Sequence, residues 1–207
     1  DWQARKRWLE AIVAADAAGG AARTDRSRFL AATAAIEPAR PKRDAFLATS
    51  LAAPLDRSLK LKKTRMEEAL LAYGAAAGYG VAPVTTAATF ETAELYYQLS
   101  RDLLASERPA DLTSDEQEEY ALLLEEQAFP FEEKAIELFR VNADRVTDGV
   151  YDEWVRASFA RLSVMSPARY ARTERSEAVA AWRGGRETWP GAAGVAARRT
   201  RPPPPRR

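Results

Sequence analysis

The chain of 207 residues contains no cysteine and no histidine. Without cysteine it forms no disulfide bond and carries out no thiol chemistry, and this absence fits both the cytosol and the cell envelope. Without histidine it lacks the commonest metal ligand and the commonest general base of proteins. The sequence also has no run of about 18 or more apolar residues, so it predicts no membrane-spanning helix.

Motifs for nucleotide binding and catalysis are missing as well. The two glycine-rich strings, AYGAAAGYG and WRGGRETWPG, match neither the phosphate-binding loop nor the dinucleotide-binding fingerprint, and no G-x-S-x-G elbow occurs. Adjacent glutamates diverge by about 100° around a helix, so they are expected to form a solvated acidic face and no calcium or magnesium site. These glutamates are Glu125, Glu126, Glu132 and Glu133. The sequence therefore predicts no enzyme, no cofactor and no metal, with paired acids for glycoside hydrolysis left as an open alternative.

Charge is distributed in blocks, although the formal net charge is only +1. Residues 57–65 carry five basic and no acidic side chains, and residues 107–153 carry fifteen acids against four bases. Residues 171–207 carry nine arginines against three glutamates. Such blocks more often form solvated faces or partner surfaces than active sites. Alanine supplies much of the 46% apolar content, which favours closely packed helices.

Apolar residues at three- and four-residue steps predict helices at the start of the chain. The first helix covers residues 2–18, places Trp8 and Ile12 on one face and ends at two glycines. The second helix is expected to begin at an N-cap, which is either Thr24 or Asp25.

Residues 54–77 give the clearest helical pattern of the first half, after a break that two prolines predict at residues 37–40. One polar position, Lys62, interrupts the apolar stripe of this helix, and the basic residues fall mostly on the opposite side. We expect them to form a solvated face. The alternative is a nucleic-acid site built from Arg57, Lys60, Lys62, Lys63, Arg65 and the arginine-rich tail.

The next helix is predicted to end near Ser106, although its start is rich in β-branched residues. A capping-box pattern at Thr113 and Glu116 then opens a short helix that runs through Leu124. Pro130 is predicted to start a separate helix, because proline is favoured in the first helical turn.

Residues 120–170 predict a helical hairpin with a tight turn at residues 147–149. Loops this short force neighbouring helices to lie antiparallel. The positions predicted to face inward are Phe131, Ala135, Leu138, Phe139, Asn142 and Val146 in the first helix, and Tyr151, Val155, Phe159 and Leu162 in the second. Pro167 is expected to end the second helix.

This hairpin matches one tetratricopeptide repeat in a degenerate way. Aligning Pro167 with the closing proline of a 34-residue repeat places Phe139 and Phe159 at its large aromatic positions. Val155 and Leu162 stand where small alanines are usual.

Longer stretches of the chain indicate a protein family more specifically than the hairpin pattern does. They are LDRSLKLKKTRMEEALLAYG, GVAPVTTAATFETAELYY, SERPADL, EEQAFPFEEKAIELF, DGVYDEWVRASFARL and PARY. Together they resemble the C-terminal region of bacterial tetratricopeptide-repeat proteins found with gliding-motility and Tol, Exb and TonB-like envelope machinery. The resemblance covers residues 42–170 in collinear order. It implies an all-α fold of antiparallel helical hairpins stacked as an α-solenoid. It also implies a periplasmic or outer-membrane-associated scaffold that binds other envelope proteins without catalysis.

We expect residues 1–183 to form this helical domain and residues 184–207 to form a flexible tail rich in arginine and proline. Because the chain opens on Asp1 and not on methionine, we expect it to be a C-terminal fragment of a longer protein. No small-molecule substrate is predicted, and no residue is singled out for partner binding. The alternatives are a cytoplasmic helical scaffold or nucleic-acid-associated protein that uses the basic residues, and a small all-α enzyme.

Overall fold

The computed structural model describes residues 1–109 and 111–172, and these residues form α-helices and no strand. The helices are α1 (Trp2–Ala18), α2 (Asp25–Ile36), α3 (Ala39–Leu47), α4 (Leu55–Ala77), α5 (Ala82–Leu104), α6 (Ser114–Asp144), α7 (Glu153–Met165) and α8 (Pro167–Tyr170). The predicted all-α class is confirmed for this part of the chain. The tail predicted at residues 184–207 and the domain boundary at residue 183 lie outside the described residues.

Both capping predictions are confirmed. Thr24 is the N-cap of α2, and its Oγ1 accepts a hydrogen bond of 3.1 Å from the backbone N–H of Ser27. At the start of α6 the backbone N–H of Thr113 donates to Glu116 Oε2 over 2.8 Å. This hydrogen bond, together with one from the Thr113 hydroxyl, lowers the pKa of Glu116. Caps depend on residues close in sequence, which is why they were predictable.

The prediction that Pro130 starts a separate helix is wrong, because α6 continues through this residue for its full 31 residues. Proline donates no hydrogen bond to the carbonyl four residues earlier, that of Glu126, but both residues are exposed and water can serve that carbonyl. On either side of the proline, Leu124, Ala128 and Ala135 are buried. Packing on both sides therefore holds the helix together across a residue that weakens it.

The hairpin between α6 and α7 forms at the predicted turn. A short 3-10 turn at Arg145–Asp148 ends at Gly149, whose φ of 78° lies in the left-handed region that favours glycine. The predicted inward positions that are buried are Ala135, Phe139, Asn142, Val155 and Leu162. Two inward predictions are wrong, since Val146 and Tyr151 are exposed. Val146 lies in the 3-10 turn and Tyr151 precedes α7, so the α-helical period does not apply to them.

The core lies along α5, which contributes to both of the larger apolar clusters. Leu95, Leu99 and Leu103 pack in a cluster that includes Phe46 and Tyr73. Ala93 packs in a second cluster with Phe139 and Leu162, the core of the α6–α7 hairpin. The most extensive helix contacts join sequence neighbours: α1 with α2, α3 with α4, α4 with α5, α5 with α6 and α6 with α7. Within the described residues, no helix is long and apolar enough to cross a membrane.

Lys62, the polar position in the apolar stripe of α4, is buried with that stripe, and its side chain is only 1% exposed. It is therefore not part of the solvated face expected for the basic residues of this helix. Its Nζ lies 2.6 Å from Asp102 Oδ2 and donates to the carbonyl oxygens of Phe46 and Thr49 over 3.1 and 2.6 Å. These carbonyls lie at the end of α3, where helix carbonyls lack partners and attract positive charge. Each ammonium hydrogen therefore has an acceptor, and the cation ties α3 and α4 to α5.

The apolar face predicted for α1 is not part of this core, since Trp8 and Ile12 are exposed. A buried carboxylate holds α1 to α2 instead. Asp16 accepts a 2.7 Å hydrogen bond from Arg23 and another of 2.7 Å from the Ser27 hydroxyl. These two hydrogen bonds lower the pKa of the Asp16 carboxyl, so it stays ionised near neutral pH.

Candidate functional site

A groove with a volume of about 260 Å³ lies where α2, α3, α4, α5 and α7 meet. Its apolar lining consists of Phe29, Ile36, Pro83, Val84, Ala87 and Trp154. These residues come from separate helices, so no local motif marks the groove in the sequence. Tertiary packing alone brings them together.

Tyr73 of α4 also lines the groove and is only 1% exposed. Its hydroxyl has no hydrogen-bond partner among the described residues. Burial raises the pKa of Tyr73 above its ordinary value, and the negative charge of Glu91 raises it further, while Arg43 lowers it. The phenol is therefore neutral at physiological pH and available as a donor. Leaving a buried donor unpaired costs about 1–3 kcal/mol, which an inserted acceptor would recover.

Ion pairs form the charged side of the groove. Glu91 accepts a 2.7 Å hydrogen bond from Arg43 Nη1. Burial lowers the pKa of Arg43, but the hydrogen bond and the charge of Glu91 outweigh it, so the pKa is raised and the guanidinium stays charged. Glu37 pairs with Arg5 and lies 3.5 Å from Arg40. These two groove carboxylates are thus held by arginines.

Trp154 is fixed in the groove wall by the start of α7. Asp152 caps that helix, and its Oδ1 accepts from the backbone N–H groups of Trp154 and Val155 over 3.1 and 3.0 Å. The hydroxyl of Thr86 in α5 donates to the other oxygen, Oδ2, over 2.5 Å. The Trp154 ring also packs against Phe90 with ring centroids 5.4 Å apart. The capping carboxylate therefore joins α7 to α5 and orients the indole.

The groove is small. Ligand pockets for drug-sized molecules usually measure about 300–1,000 Å³, so the volume of this groove lies just below that range. Its polar lining consists of Thr33, Glu37, Arg40, Glu91, Glu153 and the Tyr73 phenol, which has no partner among the described residues. Across the described residues, no group of three or more aspartates and glutamates could hold a metal ion.

The basic residues of α4 in the nucleic-acid alternative are not all exposed, and its arginine-rich tail lies outside the described residues. Arg57, Lys60 and Lys63 are exposed, whereas Lys62 is buried. Arg65 is half-buried and lies 3.1 Å from Glu68. Sequence reasoning named none of the groove residues as functional, because they come from separate helices and form no local motif.

Comparison of the chain with protein-family models, with curated proteins and with solved structures finds no match. The function must therefore be argued from the groove and from the packing of the helices.

Proposed function

We propose that this protein is a non-enzymatic scaffold for protein–protein interactions in the bacterial cell envelope, built of helical hairpins stacked as a tetratricopeptide-like α-solenoid. The observation that carries the proposal is the groove, a largely apolar cleft lined by residues of five helices. The Tyr73 hydroxyl in this groove has no partner among the described residues. An apolar side chain of a partner peptide would fill the cleft, and a peptide carbonyl would accept from Tyr73.

The packing order supports a solenoid. In stacked repeats each unit contacts mainly its neighbours, and the main helix contacts here join sequence neighbours. The hairpins are longer than those of a tetratricopeptide repeat, because α5 and α6 have 23 and 31 residues whereas a whole repeat has 34. The proposed solenoid therefore has hairpins stacked as in tetratricopeptide repeats, but its helices are longer.

The ion pairs of the groove favour binding over catalysis. A general acid or base must exchange a proton with its substrate. Glu37 and Glu91 already form ion pairs with arginines, so neither of these two groove carboxylates is without a charged partner. The envelope location and the envelope partners follow from the resemblance of residues 42–170 alone, and a cytoplasmic scaffold is the alternative.

Nucleic-acid association has weaker support, since Lys62 is buried and Arg65 is paired. A basic nucleic-acid surface gives binding that weakens steeply with salt. Titration of duplex DNA and of RNA at low and moderate salt separates this alternative from the scaffold, for which we expect no binding to either.

The test uses the full chain immobilised and exposed to envelope extract. Phe29→Glu places a charge in the groove, and Leu71→Glu places the same charge on the exposed side of α4 away from it. We expect outer-membrane or Tol/Exb-like proteins to be retained by the wild type and by Leu71→Glu but lost with Phe29→Glu. If Phe29→Glu retains the same proteins as the wild type, partner binding through the groove is contradicted. If no envelope protein is retained, the proposed envelope location is contradicted.

A further inference from the structure

The solvent-facing side of the first half of α6 exposes large apolar side chains. Leu122 and Phe129 are 65% and 58% exposed. Seven positions separate them, which is about two helical turns, so they lie on the same face roughly 10 Å apart. Leu123 beside them is exposed as well.

Carboxylates lie on both sides of this apolar pair. At 100° per residue, Glu118 and Glu125 fall on one side of Leu122 and Phe129, and Glu119 and Glu126 fall on the other. Asp115 and Glu133 extend the acidic face toward the two ends, and all six acids are exposed. Residues 111–133 contain no lysine or arginine. We call these six acids with Leu122 and Phe129 the α6 face.

The charge of the α6 face is not neutralised within the described part of the chain. The one ion pair of α6 there joins Lys134 to Glu137, away from the face. On the neighbouring helix α5, by contrast, acids have basic partners, as in the pairs Glu91–Arg43 and Glu94–Arg161. Like charges three and four residues apart destabilise a helix, so the face is unfavourable for the isolated protein.

We propose that the α6 face is a docking surface for a basic amphipathic helix of another protein. Apolar residues of that helix would cover Leu122 and Phe129, and its lysines or arginines would pair with the flanking carboxylates. The same charge repels anionic lipid and nucleic acid. The face extends from Asp115 to Glu133, roughly 28 Å, which corresponds to a partner helix of about 20 residues.

The surface is preformed, since the opposite side of α6 is packed in the core through Ala128, Ala135 and Phe139. A rigid surface pays little conformational entropy on binding. This inference rests on the proposed scaffold function but uses a different surface from the groove.

The test titrates the full chain with a labelled synthetic helix of about 20 residues that has leucine on one face and lysine on the others. We expect binding that weakens with salt. The double variant Leu122→Gln/Phe129→Gln should weaken it by about tenfold or more. Glutamine at Glu118, Glu119, Glu125 and Glu126 should weaken it and remove most of the salt dependence. Leu71→Gln, at an exposed leucine of α4, is the matched control and should bind as the wild type does.

Equal binding of a helix with glutamate in place of lysine overturns the proposal, as does wild-type affinity in the double variant. Stronger binding to phosphatidylserine-containing vesicles than to the basic helix also overturns it. So does sedimentation showing self-association through this face without peptide binding, because a second copy then covers it. The two proposals fail separately. If envelope partners are retained by the wild type and lost with Phe29→Glu, but the basic helix does not bind, this inference is overturned and the scaffold function is still supported.

Discussion

Lys62 Nζ lies 2.6 Å from Asp102 Oδ2 in an ion pair that joins α4 to α5 inside the core. Gln98 Nε2 donates to the other carboxylate oxygen over 2.7 Å. The ammonium also lies 4.5 Å from the centre of the Phe46 ring. Both charges are therefore held by specific partners, although only Lys62 is fully buried, since the Asp102 side chain is 25% exposed.

Lys62→Met should lower the free energy of unfolding by about 1–3 kcal/mol, because Asp102 loses its cation and the carbonyls of Phe46 and Thr49 lose their donor. Chemical denaturation monitored by helical circular dichroism measures the change. Lys60→Met, two residues earlier and exposed, is the matched control, with an expected change of about 0.5 kcal/mol or less. Similar losses in both variants would show that the Lys62 pair has no special role. Adding Asp102→Leu to Lys62→Met should recover part of the stability.

Pro130→Ala should stabilise the protein by about 1–3 kcal/mol, because alanine supplies the missing N–H for the Glu126 carbonyl and removes the clash of the proline ring. The midpoint of thermal unfolding reports this gain. Pro167→Ala is the control, since Pro167 occupies the first position of α8, where proline fits without loss of a hydrogen bond. A destabilised Pro130→Ala would mean that the proline shapes α6 for its packing on α5.

Gly149→Ala and Gly74→Ala should have opposite effects. Gly149 has a φ of 78°, so alanine there should cost about 1–2 kcal/mol. Gly74 lies inside α4 with open space around its Cα, so alanine should stabilise by about 0.5–1 kcal/mol. Denaturant titration of both variants compares the same chemical change in two backbone conformations. A loss of stability in Gly74→Ala would contradict the open space at that position.

Tyr73→Phe should raise the free energy of unfolding at neutral pH by about 1–3 kcal/mol, because it removes a buried hydroxyl that has no partner among the described residues. The pKa of Tyr73 is raised in the folded protein, so its contribution to stability is present below about pH 10 and is lost as the pH rises through the folded value. The wild type should therefore lose more stability than Tyr73→Phe above pH 10.

The control for this alkaline effect is Tyr151→Phe, at an exposed tyrosine, which should behave as the wild type does. The unfolding midpoints of the wild type, Tyr73→Phe and Tyr151→Phe at neutral pH and near pH 10.5 measure this difference. A large loss in Tyr73→Phe at neutral pH would indicate that the hydroxyl already has a partner, such as a bound water, at the floor of the groove.

The sequence located most helix starts and ends correctly because these depend on neighbouring residues. Thr24 and Thr113 cap helices through hydrogen bonds three residues away, and Gly149 ends a turn by its own conformation. The error at Pro130 followed from the same local reasoning. The buried positions Leu124, Ala128 and Ala135 keep their helical spacing across the proline, and this signal favoured a single helix.

By itself the sequence determined the helical class, the caps and most of the buried stripes, since helix period and capping are short-range properties of the chain. Only the tertiary structure decided which polar group belongs in the core and where the groove lies. In the sequence Lys62 is one polar position in an apolar stripe. Only the packing of α3 and α5 supplies the acceptors for its ammonium. Phe29 and Trp154 line the same groove because the helices pack together. Residues so distant in the chain form no local sequence pattern.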